Sequence, residues 1–214
     1  MPRILSEDEI QDFRASLCGV AERLFGECGY EGVTLRAIAA ELGCSPMTPY
    51  RYFDNKEAIF TAVRMAAFMR FGRIIEQAAL EHREPIARLR AFARAYMGFA
   101  MEQPQAYRIM FEIARETSID EDMLARPETR DAVLCGWRPL VEVLMELRKA
   151  GRIEGDPLDL AHLAWSAMHG LVTLELSQKL RLGRDYHELV EPLIEFFLRG
   201  IGAPPDSSES GADA

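Results

Sequence analysis

The segment 34–56, TLRAIAAELGCSPMTPYRYFDNK, decides how the chain is read. Thr34 suits a helix N-cap, because its hydroxyl can accept from a first-turn N–H that has no intrahelical partner. Leu35, Ile38, Ala39 and Leu42 recur at helical spacing and give one apolar face. Gly43 stands where that helix should stop, since glycine enters the left-handed region without a side-chain clash. Cys44 is small and apolar, fit to be buried inside the turn. Ser45 and Pro46 then restart a helix, Ser as N-cap and Pro as first helical residue. Small Ala39 lets the second helix cross the first closely. The pattern predicts a helix-turn-helix, whose second helix lies in the major groove of DNA.

The second predicted helix carries the chemistry that DNA contact requires. Pro46, Met47 and Tyr50 take its outward N-terminal positions, from which side chains reach base edges. Thr48, Tyr50, Arg51, Tyr52 and Lys56 bring hydroxyl and cationic donors for phosphate oxygens. Arg36 on the first helix can hold a guanine through two parallel hydrogen bonds, a discrimination of roughly 1–3 kcal/mol. With Thr34 and Ser45 at the two caps, these are the candidate DNA-binding residues. Pro49 lacks the N–H that would bond back to the Ser45 carbonyl. In the first turn most N–H groups are without helical partners anyway, so a slightly splayed turn is expected, with the ring in an apolar slot. A generic helix pair within a core is the bland alternative. The cap, the glycine stop, the Ser-Pro restart and Tyr50-x-Tyr52-Phe53 argue jointly against it.

Residues 43–57, GCSPMTPYRYFDNKE, resemble the signature of TetR-type transcriptional regulators, usually G-V-S-x-G-T-L-Y-x-Y-F-x-(S/N)-K-E. The chain departs from it at Cys44, Met47 and Pro49. The resemblance implies an all-α protein with an N-terminal three-helix head and a C-terminal helical body that binds ligand and dimerises.

Composition fits such a regulator. A chain of 214 residues suffices for one large domain, or for a small head and a larger body. The start, MPRILSEDEI, is charged at once and resembles no signal peptide. The longest uncharged run of the C-terminal half, Leu160 to Leu174, is fifteen residues with two histidines inside, too short for a bilayer. A cytoplasmic location and no membrane partner are expected. Cys18, Cys28, Cys44 and Cys135 show no metal-binding spacing and are expected to be reduced. A redox switch at Cys44 is a weaker reading than a small core residue.

The net charge is −9, and residues 1–56 hold six Lys and Arg against nine Asp and Glu. Affinity depends on the local field at the phosphates and not on the sum. The acids of the head lie mostly in its first helix, whereas Arg36, Arg51 and Lys56 fall in or beside the proposed contact surface. Acidity thus argues against a nonspecific DNA coat and leaves a site-specific reader standing.

Everything else reads as helix. Ser6 to about Cys28 sets Ile10, Phe13, Leu17, Val20, Leu24 and Phe25 on one stripe. A long helix from about Asn55 through Ile75 is the expected lever between head and body. Further helices are expected near 85–101, 104–115, 127–150, 157–181 and 186–200, with loops at 116–126 and 151–156. The expected domains are 1–56 for DNA binding, 57–202 for effector binding and dimerisation, and 203–214 as a disordered tail. No phosphate-binding glycine loop, catalytic triad order or HExxH is found, so no enzyme and no cofactor is expected.

The last two predicted helices are apolar on most sides, which demands burial beyond one core face. Leu160, Ala164, Leu171, Leu189, Leu193 and Phe197 are the candidate dimer contacts of a four-helix, two-fold interface. TetR-type proteins dimerise through their last two long helices, so the resemblance implies the same. Trp165, His169 and Gly170 form W-x3-H-G, resembling a subgroup of that family. Trp165 and His169 share a helix face and can line a pocket with Met97, Tyr107, Met110 and Phe111. The competing reading makes His169 a hydrogen-bonded core residue and Gly170 a point of close packing. His162 and His169 lack a third ligand, so no metal is expected. The function expected is that of a homodimeric repressor on a palindromic operator, released by a small, mostly apolar effector. An activator, or a helical ligand-binding protein without controlled DNA binding, is the alternative.

Overall fold

The computed structural model describes residues 6–112, 125–181 and 183–203. The regular elements among them are all helices: α1 (Glu7–Cys28), α2 (Leu35–Glu41), a 3-10 turn (Pro49–Arg51), α3 (Lys56–Leu80), α4 (Pro85–Glu102), α5 (Pro104–Phe111), α6 (Pro127–Leu134), α7 (Arg138–Lys149), α8 (Pro157–Leu176) and α9 (Tyr186–Gly200). The fold is all-α, with an N-terminal helix-turn-helix and a C-terminal helical body. By packing, the chain forms two compact units. One holds the described residues of Met1–Arg70 and Gln103–Val133, the other those of Phe71–Glu102 and Leu134–Ala214. The unbroken helix α3 belongs to both.

In the first unit α1 is the axis. A capping box starts it: the Ser6 hydroxyl accepts from Glu9 N–H at 3.2 Å, and the Glu9 carboxylate accepts from Ser6 N–H at 2.9 Å. Leu17, Ala21 and Phe25 follow at helical spacing and are wholly buried. They pack with Leu35, Ile38, Phe53, Ile59, Phe60, Val63 and Ile109, so one stripe serves α2, α3 and α5 together. Phe25 meets Phe60 edge-on, with centroids 5.0 Å apart. Gly26 permits the close approach of α5, because a Cβ there would lie 2.9 Å from the Gln105 Cα atom. Arg70 adds two bonds to the Glu22 carboxylate, at 2.8 and 2.9 Å, and one to Gln103 at 3.2 Å. Buried Arg64 donates to the Met110 carbonyl at 3.3 Å.

In the second unit α4 packs against α7, α8 and α9, and α8 against α7 and α9. Arg94 of α4 grips Glu191 of α9 at 2.6 and 2.8 Å, and Arg90 pairs with Glu195 one turn along. Burial pushes the Tyr186 phenol well above its ordinary range, and its hydroxyl donates to the Met97 carbonyl at 2.9 Å.

Three helix boundaries differ from the sequence reading. The single helix expected over 127–150 is two, α6 and α7. Residues 135–136 lie against α3, where the Phe71 ring fills the space a Gly136 side chain would need and the Cys135 sulfur fills that of Gly72. Pro139 in the first turn of α7 contributes no N–H, which suits a helix beginning and not one continuing. The helix expected over 104–115 ends at Phe111, capped by Glu112. The one expected over 157–181 ends at Leu176. Gln178 there takes the left-handed conformation (φ 56°), and the Lys179 N–H closes back on the Leu174 carbonyl at 2.8 Å. Glycine normally signals that ending, so the sequence concealed it. Most of the expected loop 116–126, and residues 204–214 of the expected tail, lie outside the described residues.

Gly26→Ala should destabilise the protein by about 1–3 kcal/mol despite the better helix propensity of alanine, because the α1–α5 contact has no room for a methyl group. Thermal unfolding of the variant checks this; an unchanged midpoint would show that α5 yields without cost. Glu191 is held below the usual carboxylate range by its hydrogen bonds to Arg94. A lowered folded-state pKa gives stability that is present above the unfolded value and lost as pH falls through the folded one. The pair is half exposed, so Glu191→Gln should cost only about 0.2–1 kcal/mol at pH 7, and the difference should begin to shrink as pH falls below the unfolded value of about 4.3 and be lost only below the folded one. Denaturant melts at both pH values measure it.

Candidate nucleic-acid interface and effector site

The helix-turn-helix begins as its caps require. The Thr34 hydroxyl accepts from Ala37 N–H at 3.1 Å. At the far end Gly43 adopts φ 64°, Gly43 N–H bonds the Ala40 carbonyl at 3.1 Å, and Cys44 N–H bonds the Ala39 carbonyl at 3.0 Å. That pair of bonds is the glycine-dependent stop the sequence predicts. Cys44 is half-buried in the turn.

The second element departs from a regular α-helix further than expected. Thr48 N–H bonds the Ser45 carbonyl at 2.8 Å, Arg51 N–H bonds Thr48 at 3.0 Å, and Tyr52 N–H bonds Pro49 at 3.0 Å, all three residues back. Only the bond from Phe53 to Pro49, also 3.0 Å, has α spacing. Pro49 has no N–H to give the Ser45 carbonyl, so that oxygen takes Thr48 and the segment winds as a 3-10 turn. The proline ring is buried, as the apolar-slot expectation requires. Ser45 bonds Met47 N–H through its hydroxyl at 3.4 Å.

What this segment presents is a mixed apolar and cationic surface. Met47 is 67 % and Tyr50 51 % exposed, and Thr34, Arg36, Ser45, Pro46 and Arg51 are exposed beside them. Thr48 is half-buried. Two candidates face inward. The Tyr52 ring packs against the Phe13 ring of α1 in a tilted contact, with centroids 4.6 Å apart. The Lys56 ammonium donates to the Tyr30 carbonyl at 3.0 Å, lies 4.0 Å from the centre of the Tyr30 ring and is 3.7 Å from Glu31. Those contacts tie the start of α3 to the α1–α2 turn. Arg14 of α1, which sequence reasoning passed over, donates to the Tyr52 carbonyl at 2.7 Å.

The effector candidates fall into two groups. In the second unit the Trp165 indole N–H donates to the Tyr96 hydroxyl at 3.1 Å, and the His169 Nδ1 lies 3.4 Å from the same oxygen. Tyr96, buried and missed from sequence, is thus the hub that joins them. Phe71 meets Tyr96 edge-on at 5.5 Å, and Trp137 lies between Trp165, at 6.1 Å, and His162, at 4.7 Å. Met97 is next to Tyr96 on α4 and buried. In the first unit Tyr107, Met110 and Phe111 share α5; Tyr107 and Met110 are buried, and the Phe111 ring contacts Tyr107 at 4.9 Å and Phe68 at 5.8 Å. The second unit also holds a groove of 540 Å³ with Phe92 and Val143 as apolar wall, His82 beside it and Arg88, Arg138, Glu76 and Glu142 as charged rim.

Of the dimer candidates, Leu160, Ala164 and Leu171 are buried in the chain's own core, while Leu189, Leu193 and Phe197 are half-buried. The large exposed apolar side chains of the same helices are Leu158 (50 %), Leu163 (61 %), Leu174 and Phe196 (79 %).

Two family models match. Residues 18–63 match that of bacterial regulatory proteins of the tetR family, and residues 89–197 that of the tetracyclin repressor-like C-terminal domain. The chain belongs to the TetR family. Its helix-turn-helix is therefore a DNA-binding element of a transcriptional regulator, and no helix among the described residues is long and apolar enough to cross a membrane. A stretch of 69 residues is 41 % identical to an uncharacterised HTH-type transcriptional regulator of Mycobacterium tuberculosis. It makes up 32 % of this chain and 34 % of that one, so the chain spans about a third of that relative's length. Over 197 residues, 90 % of this chain and 84 % of the relative, it is 24 % identical to the HTH-type transcriptional activator FasR of Mycolicibacterium smegmatis. Among solved structures, a protein of unknown function from Rhodococcus sp. RHA1 superposes with TM-score 0.75 at 26 % identity, covering 94 % of this chain and 99 % of that one. FadR from Bacillus subtilis, solved with stearoyl-CoA, does so with TM-score 0.72 at 17 % identity, covering 87 % and 98 %.

In this TetR-family chain Tyr50 projects from the recognition segment without supporting the core. Tyr50→Ala should therefore lower affinity for a specific duplex at least about tenfold, while the melting temperature stays unchanged. Gel-shift titration beside a thermal melt tests the separation; undiminished affinity would place base reading elsewhere.

Proposed function

We propose that this protein is a homodimeric repressor. Each protomer sets its recognition segment in successive major grooves of a palindromic operator, and a small, mostly apolar effector releases it. The observation that carries the reading is the exposed set of Met47, Tyr50, Arg36 and Arg51 on a capped helix-turn-helix within a family-matched segment. Thr34, Ser45, Pro46 and Thr48 complete the contact surface. Tyr52 and Lys56 reach phosphate only if they leave their inward contacts. In this reading residues 1–56 bind DNA, residues 57–202 bind effector and dimerise, and 203–214 form a tail, in the cytoplasm.

For dimerisation, α8 carries Leu163, Gly170 and Leu174, and α9 carries Leu189, Leu193, Phe196 and Gly200, each set along one stripe. A Cβ on Gly170 or Gly200 would meet nothing within 4 Å in the same chain, which leaves room for a partner helix. Phe197 borders that stripe. Leu160, Ala164 and Leu171 would support it from beneath. For the effector, Trp165, His169 and Met97 supply aromatic wall and polar handle around Tyr96, while Tyr107, Met110 and Phe111 form an aromatic cluster of their own on α5 of the first unit. The W-x3-H-G run of Trp165, His169 and Gly170 supports a reading of the chain as one of the subgroup that bears it. The groove, apolar on one side and charged on its rim, suits an effector with an ionised end, and the stearoyl-CoA of FadR makes long-chain acyl thioesters the first class to try. Coupling of about 1–3 kcal/mol would weaken operator binding roughly five- to 150-fold. An effector with equal affinity for both states would release nothing.

FasR, named an activator, favours a second reading in which the same head recruits transcription. Selection of bound sequences from random duplex DNA, followed by a promoter-reporter assay, separates the two. A palindrome overlapping the promoter, with reporter output rising on deletion of the protein, supports the repressor; output falling on deletion supports the activator. No enrichment at any salt would sink both. Phe196→Glu and Leu193→Glu should yield monomers by light scattering and lose palindrome affinity; an unchanged dimer mass would move the interface elsewhere.

A further inference from the structure

We propose that Arg14 of α1 is a positioning residue for DNA reading: its guanidinium clamps the C-terminal end of the proline-wound recognition segment. The inference rests on the DNA-reading function proposed above. A recognition helix ordinarily holds its own direction through a ladder of α-type hydrogen bonds. Here Pro49 interrupts the ladder, and a 3-10 turn of three residues, Pro49–Arg51, is too short to be stable by itself. Its direction must come from what it rests on.

At the N-terminal end the Ser45–Thr48 turn provides that support. At the C-terminal end the described contacts converge on α1. The Arg14 guanidinium donates to the Tyr52 carbonyl, the cap position of the 3-10 turn, at 2.7 Å. The same group lies 4.3 Å from the centre of the buried Phe53 ring, and Phe13, its chain neighbour, packs in a tilted contact against Tyr52. A cation at a helical C-terminus satisfies a carbonyl that the helix leaves over and opposes the negative end of its dipole. Arg14 is three residues before the wholly buried Leu17 on α1, so the clamp is anchored in the rigid core. The exposed reading residues Met47 and Tyr50 lie just before the clamped carbonyl. A tilt of the segment's end would displace them from base edges, while cations elsewhere on the surface would keep their phosphates. Arg14 thus acts on specificity and not on general DNA affinity.

The test compares Arg14→Ala and Arg14→Lys with the wild-type full chain in two assays. The first is affinity for the selected palindrome and for random duplex DNA across a salt series. The second is hydrogen exchange of the DNA-free protein. Arg14→Ala should lose about tenfold or more on the palindrome, with random-DNA affinity and salt slope unchanged. Exchange should rise in residues 45–53 and stay as it was around Leu17 to Phe25. Lysine keeps a donor without the planar fork, so Arg14→Lys should recover part of the loss and keeps the test available if the alanine variant fails to fold. Three results overturn the proposal. One is wild-type specificity and exchange in both variants. Another is an equal loss on both DNAs with a slope lower by about 0.9, which makes Arg14 a phosphate ligand. The last is exchange rising throughout the first unit, which makes it a core support. If the wild type selects no sequence, the DNA-reading function fails, and exchange in 45–53 still decides whether Arg14 holds the segment.

Discussion

The helix-turn-helix consists of a seven-residue helix and a three-residue turn, and neither can hold itself together in water. Both depend on one stripe of α1, where Leu17, Ala21 and Phe25 are completely removed from solvent. The stripe is shared. It takes α2 through Leu35 and Ile38, α3 through Ile59, Phe60 and Val63, and α5 through Ile109. Gly26 lets α5 come close enough to join. Because the same few side chains serve all of these helices, a displacement of α5 or α3 cannot leave α1 undisturbed, as close-packed interiors transmit strain. That gives the effector-dependent DNA binding proposed above a physical route inside the first unit.

The second unit is organised differently. Its apolar core is tied by charged pairs between α4 and α9, and at its centre a phenol, an indole and an imidazole share one oxygen, that of Tyr96. Such a cluster is polar enough to orient a ligand and apolar enough to admit one. It serves equally well as a satisfied core, because Tyr96 already gives Trp165 an acceptor. A ligand entering there has to exchange hydrogen bonds and not merely fill space, which makes that position suited to recognition of one polar group on an otherwise apolar molecule.

An acidic protein that reads DNA is no contradiction once its charges are located. Of the six acids of α1, Glu9 is engaged in the capping box, Glu22 in a pair with Arg70 and Glu27 in a pair with Arg23. Arg36 and Arg51 stay exposed beside Met47 and Tyr50, the residues proposed to read bases. The field that matters at the phosphates is this local one, with the remaining negative charge opposing attachment to arbitrary DNA.

The sequence by itself determined the elements whose signals are local. Thr34 and Gly43 were legible because capping is chemistry within four residues, and the α1 stripe because helical periodicity is written in consecutive turns. The family resemblance was equally local, within 43–57. What only the tertiary structure decided involves residues distant in the chain. The break between α6 and α7 follows from Phe71 and Gly72 meeting residues more than sixty positions on, and the role of Tyr96 from side chains on α8. Pro49 lies between the two. Its missing N–H could be read from sequence, but the turn it produces, and the hold of Arg14 upon that turn across 38 residues, required the packing of α1. Periodicity says which face of a helix is buried; only the folded chain says which neighbour buries it.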